Sequence, residues 1–402
     1  MTSTLPSSPP GAAPSALPPA TFVLTAGTFL MGTTEFVIAG LLTSVAADFS
    51  VSIAQAGLTI TIFAIGMILG APTMALATLR LPHRVTLTAA LAVFAAGHAV
   101  GALTDSFAVL LGTRFITAVA TGAFWAVASV AAVRAAEHRT RTRVLGIVMG
   151  GGMLANVLGV PLGAFVGQVI GWRGTFWLLT VLAAVLAVAV ARKVPATGGS
   201  TVIPSVRAEL ASLRSGALWL VLATCAMVTG GTLSIYSFIS PLLTEGAGVP
   251  ELWVPFALMG FGLAALAGSL LGGRLGDARP FATPVITASA TFMVCLALLL
   301  TPSQPALVLV LFVLLGLVGL SANPVLVGLA NRYGGEASTL ATSMPTAIFN
   351  LGTALGTGLA GAALGSGLGV QGPLLVGSIG AALVLVPLGL LVLQERGLRR
   401  AR

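Results

Sequence analysis

Charge is what this chain has least of. Asp, Glu, Lys and Arg together make up 7% of its 402 residues, against 57% hydrophobic, and mean hydropathy is +1.06. So little polar surface excludes a water-soluble globule and leaves a polytopic membrane protein. The three histidines are scattered, and the two cysteines, Cys225 and Cys295, both lie in apolar runs. No metal site, disulfide framework or catalytic constellation can be assembled from them, so neither a cofactor nor an enzymatic function is expected. The net charge of +9 does not point to nucleic acid, because the basic residues are spread over short loops rather than gathered on one segment. The first 20 residues carry no charge at all and are rich in Pro, Ser and Ala. They lack the basic region of a signal peptide and are expected to form a disordered tail.

Long apolar runs fill the chain instead. Twelve of them, at about 21–46, 55–79, 84–104, 107–133, 144–170, 174–192, 216–244, 252–273, 281–301, 305–331, 338–366 and 371–394, approach or exceed the length a helix needs to cross roughly 30 Å of hydrocarbon. The connection at 193–215 is the longest and divides the spans into an N-terminal half, 21–192, and a C-terminal half, 216–394, with a basic tail at 395–402. Within that connection, the apolar spacing of 206–214 fits a short surface helix. The expected fold is therefore all-α, with twelve transmembrane helices in two pseudo-symmetric six-helix halves. The halves echo each other: Leu158-Gly159 and Leu162-Gly163 in the fifth span match Leu351-Gly352 and Leu355-Gly356 in the eleventh at an offset of 193. On that register Asn156 and Asn350 occupy equivalent places.

Cytoplasmic loops collect Arg and Lys, so charge tests this division. The loops after even-numbered spans and the C-terminal tail together hold 17 of the 19 basic residues. Loops after odd-numbered spans hold Arg173 with Asp48, Asp105, Glu245 and Glu251. Both termini are then expected on the cytoplasmic side of the cell membrane.

One acid and one base remain well inside the membrane. Glu35 lies about 14 residues into the first span, or ~21 Å at 1.5 Å per residue, too deep to snorkel to water. Arg114 lies about 7 residues below the outer end of the fourth span, which puts both groups in the outer half of the bilayer. An ionisable residue there is a functional-site hypothesis by default and needs a partner or a wet cavity. Arg114 either shares a central cavity with Glu35 or locks helices by satisfying backbone carbonyls, and the two roles can coexist. Burial disfavours the carboxylate and a nearby guanidinium favours it, so their balance sets proton uptake and release. His98, alone in the third span, reads as a packing histidine rather than a proton carrier.

The fifth span carries Gly151, Ala155, Gly159, Gly163 and Gly167 at intervals of four, with Pro161 between them. Small residues at this spacing let helix backbones approach closely, and the proline deletes one backbone hydrogen bond. After the eighth span comes Gly273-Arg274-Leu-Gly-Asp277-Ala-Arg279, whereas Thr78 stands after the second span where the equivalent acid belongs. These features, together with Gly32-Thr-Thr-Glu35-Phe, Gly70-Ala-Pro72 and Gly171-Trp-Arg-Gly-Thr-Phe-Trp177, resemble the major facilitator superfamily over nearly the whole chain from about residue 21. Within it they resemble the drug/proton antiporters, chloramphenicol-efflux branch; the same signatures are similar to those of sugar, nucleoside and purine exporters.

The resemblance implies proton-coupled efflux of small hydrophobic or amphiphilic compounds by alternating access, chloramphenicol first among them. The alternative is export of a sugar, nucleoside or amino-acid-like metabolite; a membrane receptor without transport is more distant. It further implies a monomer in the bilayer whose partners are protons and a small-molecule substrate. Glu35 and Arg114 would couple protons, and the small-residue stripe of the fifth span would seal the cavity. Asp277 with Arg274 or Arg279 would form a cytoplasmic latch. Trp125, Asn156, Tyr236, Ser240, Asn323, Phe349 and Asn350 are the inner-span polar and aromatic residues that, with Glu35, are candidates to touch substrate, though each of the seven alone reads more readily as packing or interhelical hydrogen bonding.

Overall fold

The computed structural model describes residues 17–78, 80–137, 140–196, 215–334 and 339–400. The expected surface helix at 206–214 and most of the expected N-terminal tail lie outside them. Among the described residues twelve helices are long and apolar enough to cross a membrane: α1 (Pro19–Gly40), α2 (Ile53–Met74), α3 (His83–Leu103), α4 (Phe107–Ala135), α5 (Arg141–Ile170), α6 (Trp172–Lys193), α7 (Gly216–Ser237), α8 (Glu251–Ala278), α9 (Ala282–Leu300), α10 (Pro305–Gly334), α11 (Met344–Leu364) and α12 (Gln371–Glu395). The first helix already begins at Pro19, and the last continues as a regular helix to Arg400, so neither tail starts where the charge pattern placed it.

Several spans are interrupted where the chain chemistry requires it. In α5 a wide π turn at Ala155–Gly159 comes just before Pro161, whose missing N–H cannot serve the carbonyl of the preceding turn. The expected continuous run at 216–244 ends as an α-helix at Ser237 and resumes as two short pieces, Ile239–Pro241 and Leu242–Gly246. In α10 the helix stops at Gly319 and restarts at Asn323, next to Pro324.

The same helix pairs recur in both halves. The helix α1 packs on α5 and α6, α2 on α4, and α3 on α4 and α6; likewise α7 packs on α11 and α12, α8 on α10, and α9 on α10 and α12. Small residues set these crossings and fix the register. A Cβ at Gly151 would strike Thr28 Oγ1 and the Thr25 carbonyl, and one at Gly352 would strike Thr229 Oγ1 and the Ala226 carbonyl. Thr28 donates to the Val148 carbonyl and Thr229 to that of Phe349. All these pairs are offset by 201, so the sequence register of 193 is two helical turns out. Asn156 corresponds to Thr357, not to Asn350. For α2/α4 against α8/α10 the offset is 202, since Gly66 abuts the Phe115 carbonyl and Gly268 that of Leu317.

The two halves meet through α2 with α11 and α5 with α8. At the end remote from the termini their buried apolar residues form one continuous core, from Val37, Leu42 and Trp172 to Tyr236, Leu243 and Phe312. At the terminus-bearing end the cores are separate, one around Leu24, Phe124 and Val190 and the other around Leu218, Leu326 and Leu388. Hydrogen bonds join the halves only toward the packed end among the described residues: Thr61 to Thr357 (2.9 Å), Thr43 to Ser240 (3.4 Å) and Gln168 Nε2 to the Glu251 carbonyl (2.7 Å). Among the described residues, the two halves are therefore joined at the end remote from the termini and have separate cores at the terminus-bearing end.

Arg173, the odd base among the acidic loops, ties that packed end of the N-terminal half together. It pairs with Asp48 and Asp105, donates to the carbonyls of Ala102 (3.1 Å) and Thr104 (2.9 Å), and stacks on Trp172, whose indole N–H reaches Asp48 at 2.8 Å. Charged hydrogen bonds to backbone contribute about 1.5–3 kcal/mol when buried and less at this side chain's partial exposure. Arg173→Leu is expected to lower the apparent melting temperature of the detergent-purified protein by a few degrees. An unchanged thermal scan would show that the clamp adds nothing.

Candidate functional site

The site is built where α1 loses its α-helical register. The helix Pro19–Phe36 tightens into a 3-10 turn at Val37–Gly40, which begins two residues beyond Glu35. Carbonyls at such a transition need donors from elsewhere. The Thr34 carbonyl receives one from Arg114 Nη2 at 3.0 Å, while Nη1 donates to Thr34 Oγ1 at 2.9 Å and Nε to the Thr59 carbonyl at 3.4 Å. The guanidinium lies 4.2 Å over the Phe63 ring and is 1% exposed, so its charge is held entirely by oxygen acceptors and a π face. Both α1 and α2 are thereby bound to α4.

Glu35 does not pair with Arg114. It is partly buried, and no hydrogen bond or ion pair within 4 Å reaches it from the described residues. The two charges still act on each other across the low-dielectric interior. Of the two roles open to Arg114, the helix-locking contacts are present, and the acid beside it keeps part of its surface. Sequence reasoning missed the residues that arrange this. Thr34 and Thr59 carry no signal beyond their position in a span, and His98 reads as packing. In the structure His98 is 1% exposed and sits between the rings of Phe94 and Phe176, with Nδ1 2.9 Å from the Phe94 carbonyl and Nε2 2.7 Å from Thr34 Oγ1.

The symmetry-related places in the other half hold no charge. On the offsets above, Glu35 corresponds to Tyr236, Thr59 to Phe261 and Arg114 to Gly316, whose missing side chain lets α10 touch the Phe261 carbonyl. There Tyr236 packs at a tilt on Phe261 (4.7 Å), stacks with Phe312 (6.2 Å) and meets Phe36 of α1 edge to face at 5.9 Å. A polar cluster in one half thus faces an aromatic cluster in the other at the same depth.

The remaining sequence candidates divide. Trp125, Asn156, Asn323 and Phe349 keep accessible surface. Trp125 lies against Gly152, and Asn156 occupies the π turn with its carbonyl against Gly262 of α8. Asn323 has a buried Oδ1 without a partner, and Phe349 accepts from Thr229 through its carbonyl. Tyr236, Ser240 and Asn350 are buried: the first two belong to the packed end, and Asn350 donates to the Thr346 carbonyl of its own helix. The structure does not gather all seven around Glu35.

The small-residue stripe of α5 also has a more local role than sealing between halves. Ala155 packs on Gly32, Gly159 on Phe29 and Thr33, Gly163 on Val37 and Gly167 on Leu41, so the stripe presses α5 along α1 inside one half. The cross-half approach is made by the other face of the π turn, at Gly262. Arg274, Asp277 and Arg279 are exposed, and among the described residues no ion pair joins Asp277 to either arginine. Asp277 instead lines a cleft of about 320 Å³ with Arg332, and Arg332 lies 4.0 Å from Glu395.

Comparison with known proteins agrees with this architecture. The family model described as Major Facilitator Superfamily matches residues 24–344. A chloramphenicol resistance protein of Streptomyces lividans is 34% identical over 368 residues, 91% of this chain and 94% of that protein. The inner membrane transport protein YdhP of Escherichia coli (strain K12) is 30% identical over 363 residues, 90% of this chain and 93% of that protein. Among solved structures, a bacterial homologue of the human lysosomal transporter Spinster, in an inward-facing and occupied conformation, superposes with a TM-score of 0.76 at 16% identity, covering 94% of this chain and 96% of that one. At that identity the likeness concerns the fold.

Proposed function

The chain belongs to the major facilitator superfamily, and we propose that within it this transporter is a proton-coupled exporter of small hydrophobic or amphiphilic compounds, with chloramphenicol the first to test. The observation that carries the reading is Glu35: an acid deep in a membrane helix that is only partly buried, beside a fully buried arginine that does not neutralise it by contact. A group that exchanges protons must be reachable, and one that changes the cavity's charge must lie in it. The loop charges favour cytoplasmic termini, so a cleft between the separate cores would receive substrate and release protons there. Rocking of the halves would then expose the same cavity on the other side.

The aromatic cluster around Tyr236 is buried at the packed end here; once the halves part, it and the acid of α1 would give the cavity one π-rich and one polar wall, which suits a partly aromatic solute with polar substituents. Likeness to the chloramphenicol resistance protein supports the same choice.

The test is expression in an efflux-deficient host, followed by everted-vesicle measurements. Raised chloramphenicol tolerance with drug-stimulated proton movement is expected. No tolerance but proton movement with a sugar, nucleoside or amino-acid panel would transfer the reading to metabolite export. Drug movement insensitive to an imposed pH gradient would remove proton coupling.

A further inference from the structure

His98 is a buried imidazole to which the transport reading gives no task, yet it is two hydrogen bonds from Arg114. The donors along this line follow from chemistry. The Phe94 carbonyl only accepts, so His98 Nδ1 carries a hydrogen. Arg114 only donates, so Thr34 Oγ1 accepts from Nη1. The Thr34 hydroxyl hydrogen is then left for His98 Nε2, 2.7 Å away, and every donor meets an acceptor. The order is Arg114 to Thr34 to His98 to Phe94, with a neutral ring at its end.

Thr34 and Glu35 are consecutive, so their side chains leave α1 about 100° apart. Holding Arg114 on Thr34 therefore points the guanidinium at one flank of the helix while the carboxyl occupies the next. We propose that His98 is a positioning residue: by accepting from Thr34 it fixes the hydroxyl that holds Arg114, and so keeps the guanidinium from closing on Glu35. The inference rests on the reading of Glu35 as the proton-binding group. The charged group acting on Glu35 is Arg114, as it is for His98, and from the other half the titratable Tyr236 packs on Phe36, the residue next to Glu35. Without the Nε2 acceptor the Thr34 hydroxyl turns elsewhere, Nη1 is released, and a buried guanidinium held on the carbonyl that precedes Glu35 pairs with its carboxylate. Paired, Glu35 takes up its proton only when protons are more abundant.

The experiment uses the full-length protein in liposomes and follows the carboxylic C=O infrared band that disappears in Glu35→Gln as pH is raised. This readout needs no substrate. In His98→Leu the band's midpoint is expected to fall by about one pH unit, a tenfold change in proton concentration. Thr34→Val should reproduce the fall, the double variant should add nothing further, and His98→Gln, which keeps an acceptor near the Nε2 position, should return the midpoint toward the wild type. A purely structural histidine would lower melting temperature and yield with the midpoint unmoved. The proposal is overturned by an unmoved midpoint in Thr34→Val or His98→Leu, by additive shifts in the double variant, or by a wild-type titration with no Glu35-dependent band. Its failure is separable from that of proton coupling, which is decided by pH-driven export in Glu35→Gln.

Discussion

Glu35→Gln is expected to abolish proton-coupled export while the protein remains folded and inserted. Gln keeps the size and polarity of the side chain and removes the one property at issue, the exchange of a proton. The structure makes the substitution unusually clean. Arg114 is satisfied by Thr34 and Thr59 and stacks on Phe63, so removing the Glu35 charge leaves no guanidinium without acceptors. Glu35 itself anchors no hydrogen bond among the described residues, and the melting temperature should change by little. Substrate-driven acidification or alkalinisation in everted vesicles should fall to the background of empty vesicles. Substrate exchange at equal pH on both sides, which needs no net proton movement, is the partial reaction expected to survive. Undiminished proton movement would remove Glu35 from the coupling role and send the search to the other accessible polar groups, Asn156 and Asn323.

That clean separation is a property the sequence only half displays. The positions of Glu35 and Arg114 along their helices were legible, because span ends are marked by charges and each residue advances a helix by a fixed rise. How they relate was not legible. Whether a guanidinium meets a carboxylate or a threonine depends on a 3-10 turn at Val37 and on side-chain directions one residue apart, and neither leaves a pattern in composition. The spans were legible for the same reason as those positions, and their interruptions less so. Pro161 announces the break in α5 and Pro241, which has no N–H for the Ser237 carbonyl, the one at the end of α7, but neither says what turn follows. The repeat was found and its register misread, since small residues every four positions look alike after a slip of eight. Only contacts such as Thr28 with Val148 and Thr229 with Phe349 fix it. Once fixed, the register turns a bare asymmetry into a paired one: acid against tyrosine, arginine against glycine.

Arg173 shows the opposite case, where one exception in a statistical rule carried structural information. A base among acidic loops is what a clamp for Asp48 and Asp105 requires, and the residue's neighbour Trp172 supplies the stacking surface.

Cross-linking α2 to α11 is expected to stop transport altogether. Thr61 and Thr357 hydroxyls lie 2.9 Å apart across the two halves, at the packed end, so Thr61→Cys together with Thr357→Cys places two sulfurs where a disulfide of about 2.05 Å can close. The native thiols do not compete, because Cys225 and Cys295 are both fully buried. If the halves rock, this end must part for substrate to leave, and a disulfide cannot lengthen to allow it. Oxidised double variant should therefore lose export to background, each single variant should keep it, and a reductant should restore it. The loss should appear in export rate and not in the binding of substrate from the terminus-bearing side, which the lock leaves open. Continued export at near-complete cross-linking would mean that α2 and α11 stay together through the cycle, and release would then have to follow a path that does not separate the halves at this contact.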